Sequence, residues 1–223
     1  MVQAPLDRTE IVEYLNRNSI SRVYYMSPLK SIDKFLDYGL LSKNNIGQLP
    51  SLRSVSFADE AVQERRHNVS GTTSAGKIRG AHDMVPFYFT TRNPTSFKLK
   101  SEHILHKMVF WSVKIEFLLE PEIEFFFSDG NLGSTSTEVF FHQSDMHKLP
   151  LDVINAEYWI DHVEGKRKRN AELLVYGSVS IDYIECLYCQ SEEIKRYILE
   201  RNKTRAYIRQ RKPIEANMQL YFT

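Results

Sequence analysis

"GKRKRNAELLVYGSVSIDYI", residues 165–184, joins a basic run to an apolar run through a single acid. Lys166, Arg167, Lys168 and Arg169 lead in, Leu173, Leu174 and Val175 lead out, and Glu172 sits at the join. Residues 171–180 alternate and branch as a strand does, so a strand is predicted that opens on a carboxylate. A carboxylate at a strand mouth is held more rigidly than one on a loop. Two readings follow from the residues alone: a surface charge balancing its neighbours, or a catalytic acid beside a phosphate-binding patch.

Working outward, the same alternation between short strands and helices continues through the chain. A helix is predicted over 7–18, where Ile11, Val12 and Leu15 recur at helical spacing, and an aromatic strand over 22–27. The next helix starts with Pro28 in its first turn and stops at Gly39. "DEAVQERRHNV" predicts a short helix, and 70–82, rich in Gly, Ser and Thr, predicts a loop. Strands are predicted over "MVPFYFTTR", with Pro86 near a strand end or edge, over "HKMVFWSVKIEFLL", "IEFFFSD" and "YIECLYC", and at the close over "TRAYIRQ" and "MQLYFT". Ser191 opens a final helix with acids in its first turn. The pattern is α+β, with many short strands and peripheral helices.

The chain has 223 residues, 42% of them hydrophobic, enough for one domain with a sizeable core. No apolar run reaches the ~18–20 residues of a membrane span, and the N-terminus lacks the basic-then-apolar pattern of a secretory leader. Cys186 and Cys189 form an isolated CxxC without two further zinc ligands at suitable spacing, so they read as buried strand thiols in a reducing cytoplasm. Net charge is only +1, yet 166–169 and 201–212 hold four and six cations with no acid. Such patches suit a phosphate-bearing partner or a solvated face. No P-loop, GxGxxG, GxSxG or HExxH motif is present, which removes several nucleotide-binding, hydrolase and metalloenzyme classes.

Several stretches resemble, in order, the DarT family of DNA ADP-ribosyltransferase toxins. "HDMVPFYFTTRNPTSF", residues 82–97, is the most specific; "RVYYMSPLKSIDKFLDYGLLS", "AVQERRHNV", "FFFSDGNL", "NAEYWID" and "KRKRNAELLV" accompany it. The resemblance covers nearly the whole chain. It implies an ADP-ribosyltransferase-like fold over 1–223, with mixed and antiparallel strands split around an NAD cleft. It implies NAD as substrate without a metal, single-stranded DNA as acceptor, and a macrodomain antitoxin as partner. Glu172 then matches the family's catalytic glutamate and Arg66 its catalytic arginine. Tyr25, Ser27, Arg66 and Tyr88 are placed at the cofactor. Arg92, Lys166, Arg167, Lys168, Arg169, Tyr158 and Trp159 are placed at the DNA, with Phe140 and Phe141 as further stacking candidates. Tyr25 and Pro28 stand where His is frequent in the family, Asn131 likewise, and Thr95 stands where Met is frequent.

The chemistry asks for these residue types. Cleavage of the nicotinamide–ribose bond builds positive charge on the ribose, and a fixed carboxylate stabilises it more than the ground state. An arginine meets a diphosphate or a carboxylate through two parallel bonds, where lysine offers a point charge. Two other classes fit the same sequence: a transferase or NAD hydrolase acting on RNA or protein, and a non-catalytic nucleic-acid-binding domain of this fold. Labelled NAD offered with DNA, RNA and protein separates them.

Overall fold

The computed structural model describes residues 5–49, 60–203, 205 and 212–222. The first half runs α1 (Arg8–Arg17), β1 (Arg22–Pro28), α2 (Ile32–Tyr38), β2 (Leu40–Leu41), α3 (Lys43–Gln48), α4 (Glu60–His67), β3 (Ser70–Thr72), β4 (Ile78–Gly80), β5 (Met84–Tyr88), α5 (Pro94–Ser101) and β6 (Met108–Lys114). The second runs β7 (Phe125–Ser128), β8 (Val139–Phe140), α6 (Leu151–Ile154), α7 (Gly165–Lys168), β9 (Glu172–Tyr176), β10 (Ser178–Val179), β11 (Ile184–Cys189), α8 (Glu192–Asn202) and β12 (Ile214–Ala216). The α+β expectation holds, and the strand that opens on Glu172 is β9.

Eight strands form one sheet in the order β12-β11-β6-β1-β5-β9-β7-β8, antiparallel except for the parallel pair β11–β12. The sheet has a seam. β1 pairs with β6 over seven residues and β5 with β9 over five, but β1 and β5 share the single register pair Tyr24↔Tyr88. Pro86 therefore lies in an interior strand whose side toward β1 is open, which is how a residue without an N–H is accommodated there.

Period-two alternation divides the side chains between two faces. Val23, Tyr25, Val85, Phe87, Trp111, Leu173 and Val175 enter the main core beneath α1 and α2. Met84, Phe126 and Leu174 point the other way. Glu172 pairs directly with Tyr88 across β9 and β5, so both stand on that second face.

Two expectations need correction. Residues 70–82 are not a loop throughout: β3 and β4 pair as a hairpin, fastened by Arg79, which binds Glu124 at 2.9 Å and stacks 3.8 Å from the Tyr176 ring. The terminal stretch forms a 3-10 turn over Met218–Leu220 rather than a strand. The pattern misled because Tyr221 buries its ring against Phe110 through a turn, not through a ladder. "TRAYIRQ", apart from Arg205, lies outside the described residues.

Gly39 ends α2 at φ 78° and ψ −175°, and a Cβ there would stand 2.5 Å from the Val179 carbonyl oxygen. Only glycine occupies that backbone region without strain. Gly39→Ala is expected to lower stability by at least ~1–3 kcal/mol, read as a lower urea midpoint with an unchanged slope.

Candidate active site

The open seam is the floor of a cavity of about 1140 Å³. That is at or above the ~300–1,000 Å³ usual for ligand sites. Met26 of β1 and Met84, Pro86 and Tyr88 of β5 line its floor.

Arg66 lines this cavity and forms a buried ion pair with Glu172, which lies behind it and does not itself line the cavity. Arg66, from the last turn of α4, is 8% exposed, and Glu172 at the start of β9 is 1% exposed. Arg66 Nη1 donates to both carboxylate oxygens at 2.8 and 2.9 Å, and Nη2 donates to Oε2 at 2.9 Å. Arg65, one residue earlier, is exposed, as adjacent helical positions require. Burial pulls the Arg66 guanidinium down, but the charge and hydrogen bonds of Glu172 outweigh it and hold the group above its ordinary value. The Glu172 backbone N–H donates to Ser128 Oγ at 3.1 Å, and that hydroxyl donates to the Gly130 carbonyl at 2.8 Å. The strand mouth is thus tied to the loop that follows β7.

Tyr88 stands beside the pair. Its hydroxyl donates to Thr95 Oγ1 at 3.4 Å, and Thr95 Oγ1 donates to Asn170 Oδ1 at 3.2 Å. Burial, then the nearby Glu172 charge, push the Tyr88 phenol up to about 12, so it stays a neutral donor. Thr95 is fixed by the start of α5. The Asn93 side chain accepts from the Ser96 N–H at 2.9 Å, the Asn93 N–H donates to Ser96 Oγ at 3.1 Å, and Pro94 opens the first turn.

Lys43, Arg65 and His82 line the cavity near Arg66. Lys43 Nζ lies 3.4 Å from His82 Nε2, and Asn44 donates to Asp83 at 2.6 Å, fastening α3 to the turn before β5. Burial first, then the Lys43, Arg66 and His67 charges, lower the His82 imidazole. Burial and the Arg66 charge lower Lys43 in turn. The Lys43, Arg65 and Arg66 cations with the His82 imidazole beside them suit an anionic ligand.

The structure redistributes the expected site residues. Arg66, Tyr88, Arg92, Tyr158, Trp159 and Lys166 all line the cavity. Tyr25 does too, but its ring is buried against Phe35 and Phe87. Ser27 does not face the cavity: strand alternation puts it on the core face, fully buried, where it accepts from Trp111 Nε1 at 2.8 Å. Arg169 is buried, and its Nη1 donates to the carbonyls of Val153, Ile154 and Ala156 at 2.6–2.7 Å. It is a clamp on the end of α6, not a phosphate contact. Arg167 pairs with Asp129 at 2.9 Å and Glu164 at 3.0 Å, so its charge is spent within the protein. Lys168 is half-buried and does not line the cavity. Phe140 is buried against Phe127, and Phe141 packs beside His142. Thr95, Asn170, Lys43, Phe97 and Phe222 were not singled out as site residues by sequence reasoning. Asn170, two residues before Glu172 in the opening stretch, was the available signal for one of them. Among the described residues, no cluster of three His, Cys, Asp or Glu is placed to hold a metal ion.

The family model for DarT, described as ssDNA thymidine ADP-ribosyltransferase, matches residues 24–222. The chain belongs to the DarT family. It is an NAD-consuming ADP-ribosyltransferase that acts on single-stranded DNA. It is 28% identical over 188 residues to a DNA ADP-ribosyl transferase of Thermus sp. strain 2.9, covering 80% of this chain and 85% of that protein. It is 24% identical over 186 residues to a DNA ADP-ribosyl transferase–glycohydrolase fusion of Thermosipho africanus, covering 81% of this chain and 46% of the fusion. The fold matches Thermus sp. 2.9 DarT solved with ADP-ribosylated ssDNA at a TM-score of 0.79, with 22% identity over 92% of this chain and 97% of that one.

Lys166 and Arg169 should separate in solution. Lys166 is exposed at the cavity rim. Lys166→Ala is expected to reduce the log–log salt slope of single-strand binding by about 0.7. Arg169→Ala is expected to leave that slope unchanged and lower stability by about 3 kcal/mol, because several carbonyls lose their donor. Salt titrations of oligonucleotide binding and urea melts check both.

Proposed function

We propose that Arg66 and Glu172 are the catalytic pair of this DarT enzyme, and that its acceptor is thymidine in single-stranded DNA. The observation that carries the reading is the buried bidentate ion pair that joins Arg66, a residue of the cavity wall, to Glu172 behind it. NAD, when bound, supplies an activated ribose whose bond to nicotinamide breaks with the electron pair leaving on neutral nicotinamide. The Glu172 carboxylate is ion-paired with Arg66, and a fixed carboxylate stabilises a cationic sugar more than a neutral one. A carboxylate offers about four acceptor positions, and Arg66 takes three. One position therefore remains on Oε1 for a sugar hydroxyl. Arg66 is held in its cationic form, so it orients Glu172 rather than taking a proton. Glu172 is the base within reach for the N–H proton that the acceptor base loses on forming its new bond to the sugar.

Lys43, Arg65 and His82 fit the diphosphate at one end of the cavity. Arg92, Lys166, Tyr158 and Trp159 fit the strand at the other. Unpairing a base costs a few kcal/mol in duplex, and a single strand avoids that cost. The fusion in Thermosipho africanus of a DNA ADP-ribosyl transferase to a DNA ADP-ribosyl glycohydrolase supports a reversing, macrodomain-type antitoxin as partner of this chain. NAD and single-stranded DNA as substrates support a cytoplasmic toxin, and the transferase domain is read as 1–223.

The test is transfer from labelled NAD to matched single-stranded, duplex and RNA oligonucleotides, resolved by mass spectrometry. The expected product is ADP-ribose on thymidine of the single strand, with little on duplex. Glu172→Gln is expected to lose at least ~100-fold in transfer. It is also expected to melt earlier, since Arg66 then stays buried beside a neutral partner, so activity is read well below its Tm. Near-normal transfer by the folded variant, or labelling of protein alone, would overturn the assignment.

A further inference from the structure

One end of the cavity carries a group of rings that the catalytic pair does not explain. Phe97 of α5, Trp159 of the turn before α7, and Phe222 near the C-terminus meet edge to face. Their centroids lie 5.9 Å apart for Phe97–Trp159, 5.4 Å for Phe97–Phe222 and 5.9 Å for Trp159–Phe222. All three line the cavity, and Phe97 is 47% exposed. The Arg92 guanidinium stands 5.1 Å over the Phe222 ring. Tyr158 and Ile160, flanking Trp159, are also exposed. Three segments far apart in sequence thus bring a partly wet aromatic surface to one rim.

The chain fixes this surface. Phe97 lies two residues after Thr95 on the helix that Asn93 and Ser96 cap. Trp159 is held by Gly165, where a Cβ would stand 1.7 Å from the Trp159 carbonyl oxygen, so no larger residue allows that approach. From the catalytic pair, the path runs from Glu172 to Tyr88 across the ladder and from Tyr88 to Thr95 by hydrogen bond. It then follows α5 to Phe97. The groups suited to a diphosphate are Lys43 and Arg65 near Arg66, with the His82 imidazole beside Lys43, whereas Arg92 stands over the Phe222 ring.

We propose that Phe97, Trp159 and Phe222 form a stacking subsite for an unpaired base next to the nucleotide that enters the Arg66–Glu172 centre. The proposal rests on the single-stranded DNA reading of the site. Unpaired bases stack on aromatic side chains, and a guanidinium beside the ring adds attraction for both base and phosphate. Arg92 lies where it serves both, since it covers Phe222 and is exposed at the rim. The subsite fixes the register of the strand, so it sets which position relative to the target must carry a base.

The experiment compares wild type with Phe97→Ala, Phe222→Ala and Phe222→Leu on a short oligonucleotide and on copies with one abasic site beside the target. Phe222→Leu keeps apolar bulk without a flat ring and guards against loss of the C-terminal packing. On the intact strand each variant is expected to lose between about 5-fold and 150-fold in kcat/KM for DNA, the factor of one stacked base. At one flanking position, the abasic strand is expected to bring wild type down to the variants and leave the variants unchanged. Equal losses on intact and abasic strands, or a loss confined to the KM for NAD, would overturn the subsite. The latter would assign the rings to adenine. If wild type transfers nothing to the intact single strand, the reading beneath the proposal fails with it. If wild type transfers well and the variants match it, the subsite alone fails.

Discussion

Arg66 and Glu172 form an ion pair joined by three hydrogen bonds, with almost no access to water. Removing two charges from water costs more than their attraction commonly returns, and apolar residues of the same volume often stabilise a fold better. The rest of the molecule is arranged around keeping this pair in place. β9 is held on both sides, by β5 and β7, so Glu172 opens a strand that cannot shift. Ser128 fixes its backbone, and Tyr88 stands across from its side chain. The seam between β1 and β5 then gives this rigid centre an opening, where a continuous sheet would have sealed it.

The electrostatics of the cavity divide along the same line. On one side of the pair, Lys43 and His82 crowd each other and are pulled toward their neutral forms, a tension that an anionic ligand relieves. On the other, a neutral Tyr88 hydroxyl leads through Thr95 to Asn170 and on to the aromatic rim. Lys43 and His82 near Arg66, and Arg92 over the Phe222 ring, thus line one cavity. The arginines of the basic run contribute by holding the walls. Arg167 ties Asp129 to Glu164, and Arg169 closes the end of α6.

Most of the strand and helix pattern was legible because its periodicity is strong, from Ile11, Val12 and Leu15 of α1 to Leu173, Leu174 and Val175 of β9. Glu172 and Arg66 were singled out through local motifs, and the structure pairs these two residues, 106 positions apart. Ser27 was misread because a strand motif does not state which face a residue takes. Arg167 and Arg169 were misread because their partners, Asp129 and the α6 carbonyls, come from other segments, and a charge run reveals nothing about distant acceptors. The rim of Phe97, Trp159 and Phe222 was illegible for the same reason: three isolated rings become a surface only once the chain has folded.

The central claim is that Arg66 and Glu172 act as one unit, and a double-mutant cycle on transfer measures that most directly. kcat/KM for a single-stranded oligonucleotide is compared among wild type, Arg66→Gln, Glu172→Gln and the double variant, with each protein shown to be folded. Groups that act as a unit are strongly non-additive, so the double variant is predicted to lose about as much as the worse single one. Losses that multiply across the cycle would contradict the account, because they would mean that the two residues contribute independently and that their buried pairing is structural alone.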